Sequence, residues 1–119
     1  MGRDETPVPR DNAPLGAFEE QVMLAVLHAG ADAFGMNVRR EIETHTGRDV
    51  AIGAVYATLD RLEAKGLIDS TRARGTGPSR RVFKVSPAGF AALAHTRAMR
   101  DQLWKGITLP LRPGLPRPG

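Results

Sequence analysis

Apolar positions recur along this chain at helical spacing, then at strand spacing, and the switches between the two mark out its elements. Ile52, Val55, Leu59 and Leu62 follow one another at intervals of three and four and stop at Gly66, a natural helix end. Leu67-Ile68 opens an extended segment, Gly75-Thr76-Gly77-Pro78-Ser79 reads as a hairpin tip, and the return strand runs to Val85. Upstream, a first helix is predicted from about Leu15 to Ala29, with Glu19 and Glu20 in early turns where a carboxylate suits the helix dipole. A second covers roughly Gly35–Thr46, with Met36, Val38 and Ile42 inward, Arg39, Arg40, Glu41 and Glu43 on its solvated face, and Gly47 as C-terminal cap. The third spans about Gly53–Lys65. Ser86 at an N-cap and Pro87 in the first turn open a fourth, which continues through Phe90, Leu93, Met99, Leu103 and Trp104 to about Lys105. The pattern is mainly α with a small β-hairpin: a winged helix-turn-helix followed by a C-terminal helix.

In the first helix Val22, Met23, Leu24, Ala25, Val26 and Leu27 point all round the axis, and such a helix must be covered on every side. A chain of 119 residues has too few other elements to do this alone. The expectation is therefore a homodimer that shares the first helix and the broad apolar arc of the fourth. Leu24 and Leu27 lie away from Phe18 and Val22, so one of these pairs should face the partner.

Composition bounds the rest. A hydrophobic content of 41% with 25% charged residues is that of one globular domain, and the absence of cysteine excludes disulfides and thiolate metal sites. The longest apolar run, Val22–Leu27, is far too short to span a bilayer, and the N-terminal residues lack the apolar core of a signal peptide, so a cytoplasmic location is expected. Residues 1–14, with three prolines, read as a disordered arm; residues 106–119, with four, read as a proline-rich tail. Between them, 15–86 form the winged unit and 87–105 the dimerisation helix. All thirteen acidic residues except Asp101 lie at or before Asp69, whereas ten Lys/Arg follow Ser70. The second half is the electropositive one, which points to a polyanion as partner.

The basic residues concentrate on the hairpin: Arg72, Arg74, Arg80, Arg81 and Lys84 lie between Thr71 and Val85 with no acidic residue among them. A merely solvated hairpin usually mixes signs. A winged helix-turn-helix lays its recognition helix in a major groove and its hairpin over the neighbouring phosphates. On a helical wheel the third helix buries Val55, Leu59 and Leu62 and presents Gly53, Ala57, Asp60 and Ala64, edged by Tyr56 on one side and by Ala54, Arg61 and Lys65 on the other. Thr58 completes the candidate DNA-contacting set. Small residues permit close approach to a groove floor but offer few base-reading groups, so DNA shape and hairpin arginines should carry part of the specificity. Tyr56 is either a DNA contact through its hydroxyl or a half-buried packing residue. Catalysis finds no support: His28, His45 and His95 are scattered without ligand or nucleophile spacing, Gly75-x-Gly77 is a turn tip, and no cofactor or metal is implied.

Three runs carry a family resemblance: Leu15-Gly-Ala-Phe-Glu-Glu-Gln-Val, Ala33-Phe-Gly-Met-Asn-Val-Arg-Arg-Glu-Ile, and Gly53-Ala-Val-Tyr-Ala-Thr-Leu-Asp-Arg-Leu-Glu-Ala-Lys-Gly-Leu-Ile68. With Ser79-Arg-Arg-Val-Phe-Lys-Val-Ser-Pro-Ala-Gly89 they resemble, over about Leu15–Trp104, the PadR family of bacterial transcriptional regulators in its short form with one C-terminal helix. The resemblance implies a dimeric repressor binding an inverted repeat in double-stranded DNA, with Tyr56 a DNA contact and Lys65 and the wing arginines on the backbone. Serine is frequent before the family's third helix; here Ala51-Ile52 stand in its place, leaving that helix start without a side-chain cap. Some members hold flat aromatics between tryptophans of the last helix. Trp104, on one arc with Leu93 and Leu103, thus has two readings: a packing anchor of the dimer, which is favoured, or a wall of a cleft for a small aromatic effector. The rival to the whole reading is a winged-helix protein-interaction module with no specific DNA site.

Overall fold

The computed structural model describes residues 13–73 and 81–110. Helix α1 spans Ala17–Ala29, a short 3-10 turn follows over Gly30–Asp32, and α2 spans Gly35–Thr46. Helix α3 runs over Ile52–Ala64, strands β1 and β2 over Ile68–Arg72 and Arg81–Val85, and α4 over Pro87–Trp104. The first helix thus begins two residues later than the apolar pattern suggests, and the third one residue earlier. The expected hairpin tip, with Arg74 and Arg80, and most of both termini lie outside the described residues.

One face of α1 buries Val22, Met23, Ala25 and Val26. Against it pack Val38 and Ile42 of α2, Val55, Leu59 and Leu62 of α3, and Ile68, Phe83 and Val85 of the hairpin, all almost wholly buried. The strands pair antiparallel with Ile68 opposite Val85 and Arg72 opposite Arg81. On its far edge β2 is held by the Phe83 amide, which donates to the Ala33 carbonyl at 3.0 Å, so the wing is anchored to the segment before α2.

The turns are pinned by side chains. The Glu43 carboxylate accepts from the Val50 amide at 2.9 Å and from Arg39 Nε at 3.3 Å, while Arg39 Nε also donates to the Val50 carbonyl at 2.9 Å. The Val50 N–H is the main cause holding the Glu43 carboxyl below its ordinary range; partial burial opposes it and Arg39 reinforces it. This clasp ties α2 to the turn that leads into α3. Gly47 closes α2 in the left-handed region at φ 72°, as the cap reading required. Helix α3 starts at Ala51 with no side-chain cap, in keeping with its sequence.

Two expectations need correction, and one alternative left open by the sequence is resolved. Met36 is 48% exposed and not inward, because Gly35 takes the close-packed position at the start of α2 and turns its neighbour to solvent. The exposed pair on α1 is Leu24 and Leu27, at 41% each, whereas Phe18 and Val22 belong to the chain's own core. The histidines are not all scattered: the rings of His28 and His45 stack with centroids 4.0 Å apart, because α2 folds back across the end of α1.

Ser86 joins the wing to α4. Its hydroxyl accepts from the Gly89 amide at 3.0 Å and donates to the Gly66 carbonyl at 2.6 Å. A Cβ on Gly89 would stand 2.1 Å from the Leu67 carbonyl oxygen and 2.7 Å from Val85 Cγ1, so helix and hairpin meet through this glycine. Gly89→Ala is expected to cost about 2 kcal/mol or more through overpacking against backbone that cannot yield. Urea denaturation monitored by circular dichroism checks it; an unchanged midpoint would mean that α4 shifts freely.

Candidate nucleic-acid interface

Helix α3 turns one bare face outward. Gly53, Ala54, Ala57, Asp60, Arg61, Ala64 and Lys65 are exposed, and a Cβ at Gly53 would meet nothing within 4 Å. Tyr56 borders this face half-buried. Its ring end lies over Gly35, where an added Cβ would come within 2.3 Å of the hydroxyl oxygen. Gly35 thereby seats the tyrosine at the first turn of α2, a pairing across twenty-one residues that periodicity cannot reveal. Thr58 does not join the face: it is 3% exposed, and its hydroxyl accepts from Arg61 Nη2 at 3.3 Å. At 100° per residue Thr58 falls within about 70° of the centre of the Val55–Leu59–Leu62 stripe, close enough for the core to claim it.

The cations of this face have protein partners. Glu19 Oε2 lies 3.2 Å from Lys65 Nζ and 3.6 Å from Arg61 Nε, and Oε1 accepts from the Gly16 amide at 3.0 Å at the start of α1. Burial pushes the Glu19 carboxyl upward, but the Gly16 N–H, Lys65 and Arg61 together outweigh it and hold the group below its ordinary range. A carboxylate of α1 therefore positions the two basic side chains of α3. Its first-turn place suggested only a helix-dipole role, and nothing in the spacing pointed to this pairing.

On the wing, Arg81 is committed to α3. Its Nη2 donates to Glu63 Oε1 at 2.7 Å and Nη1 to Asp60 Oδ1 at 3.2 Å, while the guanidinium lies 4.8 Å from the centre of the Phe83 ring. Ser70 adds a 2.8 Å bond to Glu63 Oε2. Arg81 is thus the strut between the wing and α3. Arg72, its register partner, is exposed on the same face of the hairpin. Lys84 is on the other face, lining a groove with Leu27 and Phe90, so the structure does not bring it to α3. Trp104 and Leu103 are exposed near the end of α4, at 52% and 76%, but Leu93 packs against the core about 16 Å back along the helix. The three do not form one cleft within a single chain.

A helix-turn-helix whose last helix leads into a two-stranded wing is a winged helix, the architecture of a large class of DNA-binding proteins. F93 from STIV, a winged-helix DNA-binding protein, superposes with a TM-score of 0.64 over 79% of this chain and 98% of its own, at 14% identity. A PadR-like transcription factor from Bacteroides fragilis gives a TM-score of 0.62 over 72% and 82%, at 24% identity. Transcriptional regulator Rv3488 of Mycobacterium tuberculosis is 40% identical over 88 residues, which cover 72% of this chain and 81% of that protein. The profile of the transcriptional regulator PadR-like family matches residues 23–95, and the chain belongs to that family, whose members regulate transcription and are not enzymes.

Glu19→Gln keeps the acceptor for the Gly16 amide but removes the charge between Lys65 and Arg61. Because the folded-state pKa of Glu19 is depressed, its contribution is present above the ordinary carboxylate range and lost as pH falls through the folded value. The variant should be less stable than wild type by about 0.5 kcal/mol at pH 7, with the difference shrinking as pH falls below the ordinary carboxylate range. Parallel denaturant titrations across that range measure this.

Proposed function

We propose that the protein is a homodimeric repressor that binds an inverted-repeat operator, with α3 of each subunit in a major groove and each wing on the flanking phosphates. The observation that carries this reading is the bare Gly/Ala face of α3, bordered by Tyr56, Arg61 and Lys65 and continued by the exposed Arg72. Small residues let the backbone approach the groove floor, and the cations at its edge meet phosphate as the face docks. Tyr56 contributes its hydroxyl at the N-terminal end of α2, where aligned peptide dipoles favour an anion. Arg74 and Arg80, outside the described residues, add two cations to the hairpin stretch of the sequence, and Arg81 acts by holding the wing against α3. Location in the cytoplasm follows from this role, and no helix among the described residues is long and apolar enough to cross a membrane.

The dimer rests on uncovered apolar side chains. Leu24 and Leu27 on α1, and Phe90, Met99, Leu103 and Trp104 on α4, are all exposed in the single chain. A second copy packed against both α1 and α4 covers them, and a two-fold dimer reads a palindromic site. Trp104 serves there as a packing anchor, and a flat aromatic effector, if one is used, lodges at the same place.

An electrophoretic mobility shift against genomic fragments tests the reading, since a winged-helix protein-interaction module would show no sequence preference. Tyr56→Phe should leave the fold intact and weaken operator binding by about 1 kcal/mol, roughly fivefold, through the lost hydroxyl contact. Wild-type affinity in that variant would remove the hydroxyl from the interface. Leu27→Glu should convert a dimer into a monomer in sedimentation at micromolar concentration. A wild-type chain that sediments as a monomer would overturn the dimer.

A further inference from the structure

Outside the α3 face, the most distinctive cluster of chemistry-bearing groups is where α2 crosses the end of α1. His28 lies in the last turn of α1; Glu41 and His45 stand one turn apart on α2, with His45 Nε2 3.2 Å from Glu41 Oε1. The two imidazoles stack at 4.0 Å with an interplanar angle of 24°. One donor atom from each of the three residues lies within 4.8 Å of the others. The groove they border has an apolar floor of Leu24, Ala25 and Ile42, with Gln21 and Thr46 completing its wall. Asp32 and Arg40 border the adjoining groove, Arg40 turned to Asn37 by a 3.1 Å hydrogen bond.

We propose that His28, Glu41 and His45 form a binding site for a divalent transition ion of the zinc class. Two imidazoles and a carboxylate make a borderline nitrogen–oxygen set that suits Zn2+, Co2+ or Ni2+. It has too few oxygens for calcium or magnesium and no thiolate for monovalent copper. Tetrahedral zinc held at its usual ligand distances needs donors about 3.3 Å apart. The Glu41–His45 separation already meets this, and the remaining closure of at most about 1.5 Å lies within side-chain rotation of exposed residues. Helical spacing of i and i+4 presents Glu41 and His45 on one face, and His28 supplies the third ligand from a different helix, so the ion ties α1 to α2. The fourth position is left to water. With two of its three ligands on the surface, the site exchanges its ion. None of the three residues belongs to the α3 face, so metal binding can be measured without DNA.

The test uses the metal-free, untagged chain, titrated with Co2+ followed by visible absorption, and with Zn2+ followed by calorimetry and by the thermal midpoint. The expected result is one ion per chain, a d–d band that Zn2+ abolishes, and a rise in the midpoint, because the ion binds the folded state. His28→Ala and His45→Ala should each weaken binding at least about tenfold, whereas His95→Ala, on α4, should not. A second measurement needs no variant: in the wild-type imidazole NMR spectrum, Zn2+ should shift two of the three histidines and leave His95 in place. The proposal is overturned if Zn2+ shows no saturable binding below millimolar concentration, if both His28→Ala and His45→Ala bind as wild type does, or if His95 is among the perturbed rings.

Discussion

Burial of Val22, Met23, Ala25 and Val26 along α1 gives α2, α3 and the return strand of the wing a common surface, and each takes its orientation from that surface. With so few elements, displacing α1 would uncover the whole core at once. The same helix carries Glu19, whose carboxylate sets the two cations of α3, and Glu20, which accepts from Arg100 of α4 at 2.7 Å. Core and charge arrangement are therefore registered to one element. A change in the tilt of α1 would move the exposed face of α3, the wing and the last helix together.

Three cations of the positive face are paired with carboxylates in the free chain. Arg61 and Lys65 share Glu19, and Arg81 shares Asp60 and Glu63. On the proposed interface, docking exchanges a carboxylate for a phosphate at two of these cations, so part of the electrostatic gain is offset by a broken ion pair. Such pairs are individually weak at a surface, so the exchange is shallow in energy. Its structural effect is larger, because long side chains that would otherwise sample many rotamers are already aimed along the edge of the face.

Local chemistry made the elements readable. Gly47 and the Ser86-Pro87 pair act within one helical turn, and the bounds of α2 and the start of α4 follow them closely. The exposed rank Gly53, Ala57, Asp60, Ala64 followed from a wheel because only one side of α3 can be apolar. What stayed hidden depends on pieces of chain meeting in space. Glu19 finds Lys65 forty-six residues away, Tyr56 finds a seat that only glycine leaves open, and His28 meets His45 where two helices cross. Thr58 shows the limit from the other side: near the border of a stripe, the packing of neighbours decides burial, and residue type does not.

The small side chains on the outer face of α3 leave little for the fold to lose there. Nothing lies within 4 Å of a Cβ placed on Gly53, and Ala54, Ala57 and Ala64 are likewise exposed. Larger residues would cost only roughly a few tenths of a kcal/mol in helix propensity at the alanines and would improve on glycine at Gly53. The surface is in that sense unwritten: new side chains can be tried on it one at a time without endangering the scaffold, which makes it an economical starting point for divergence or for deliberate retargeting.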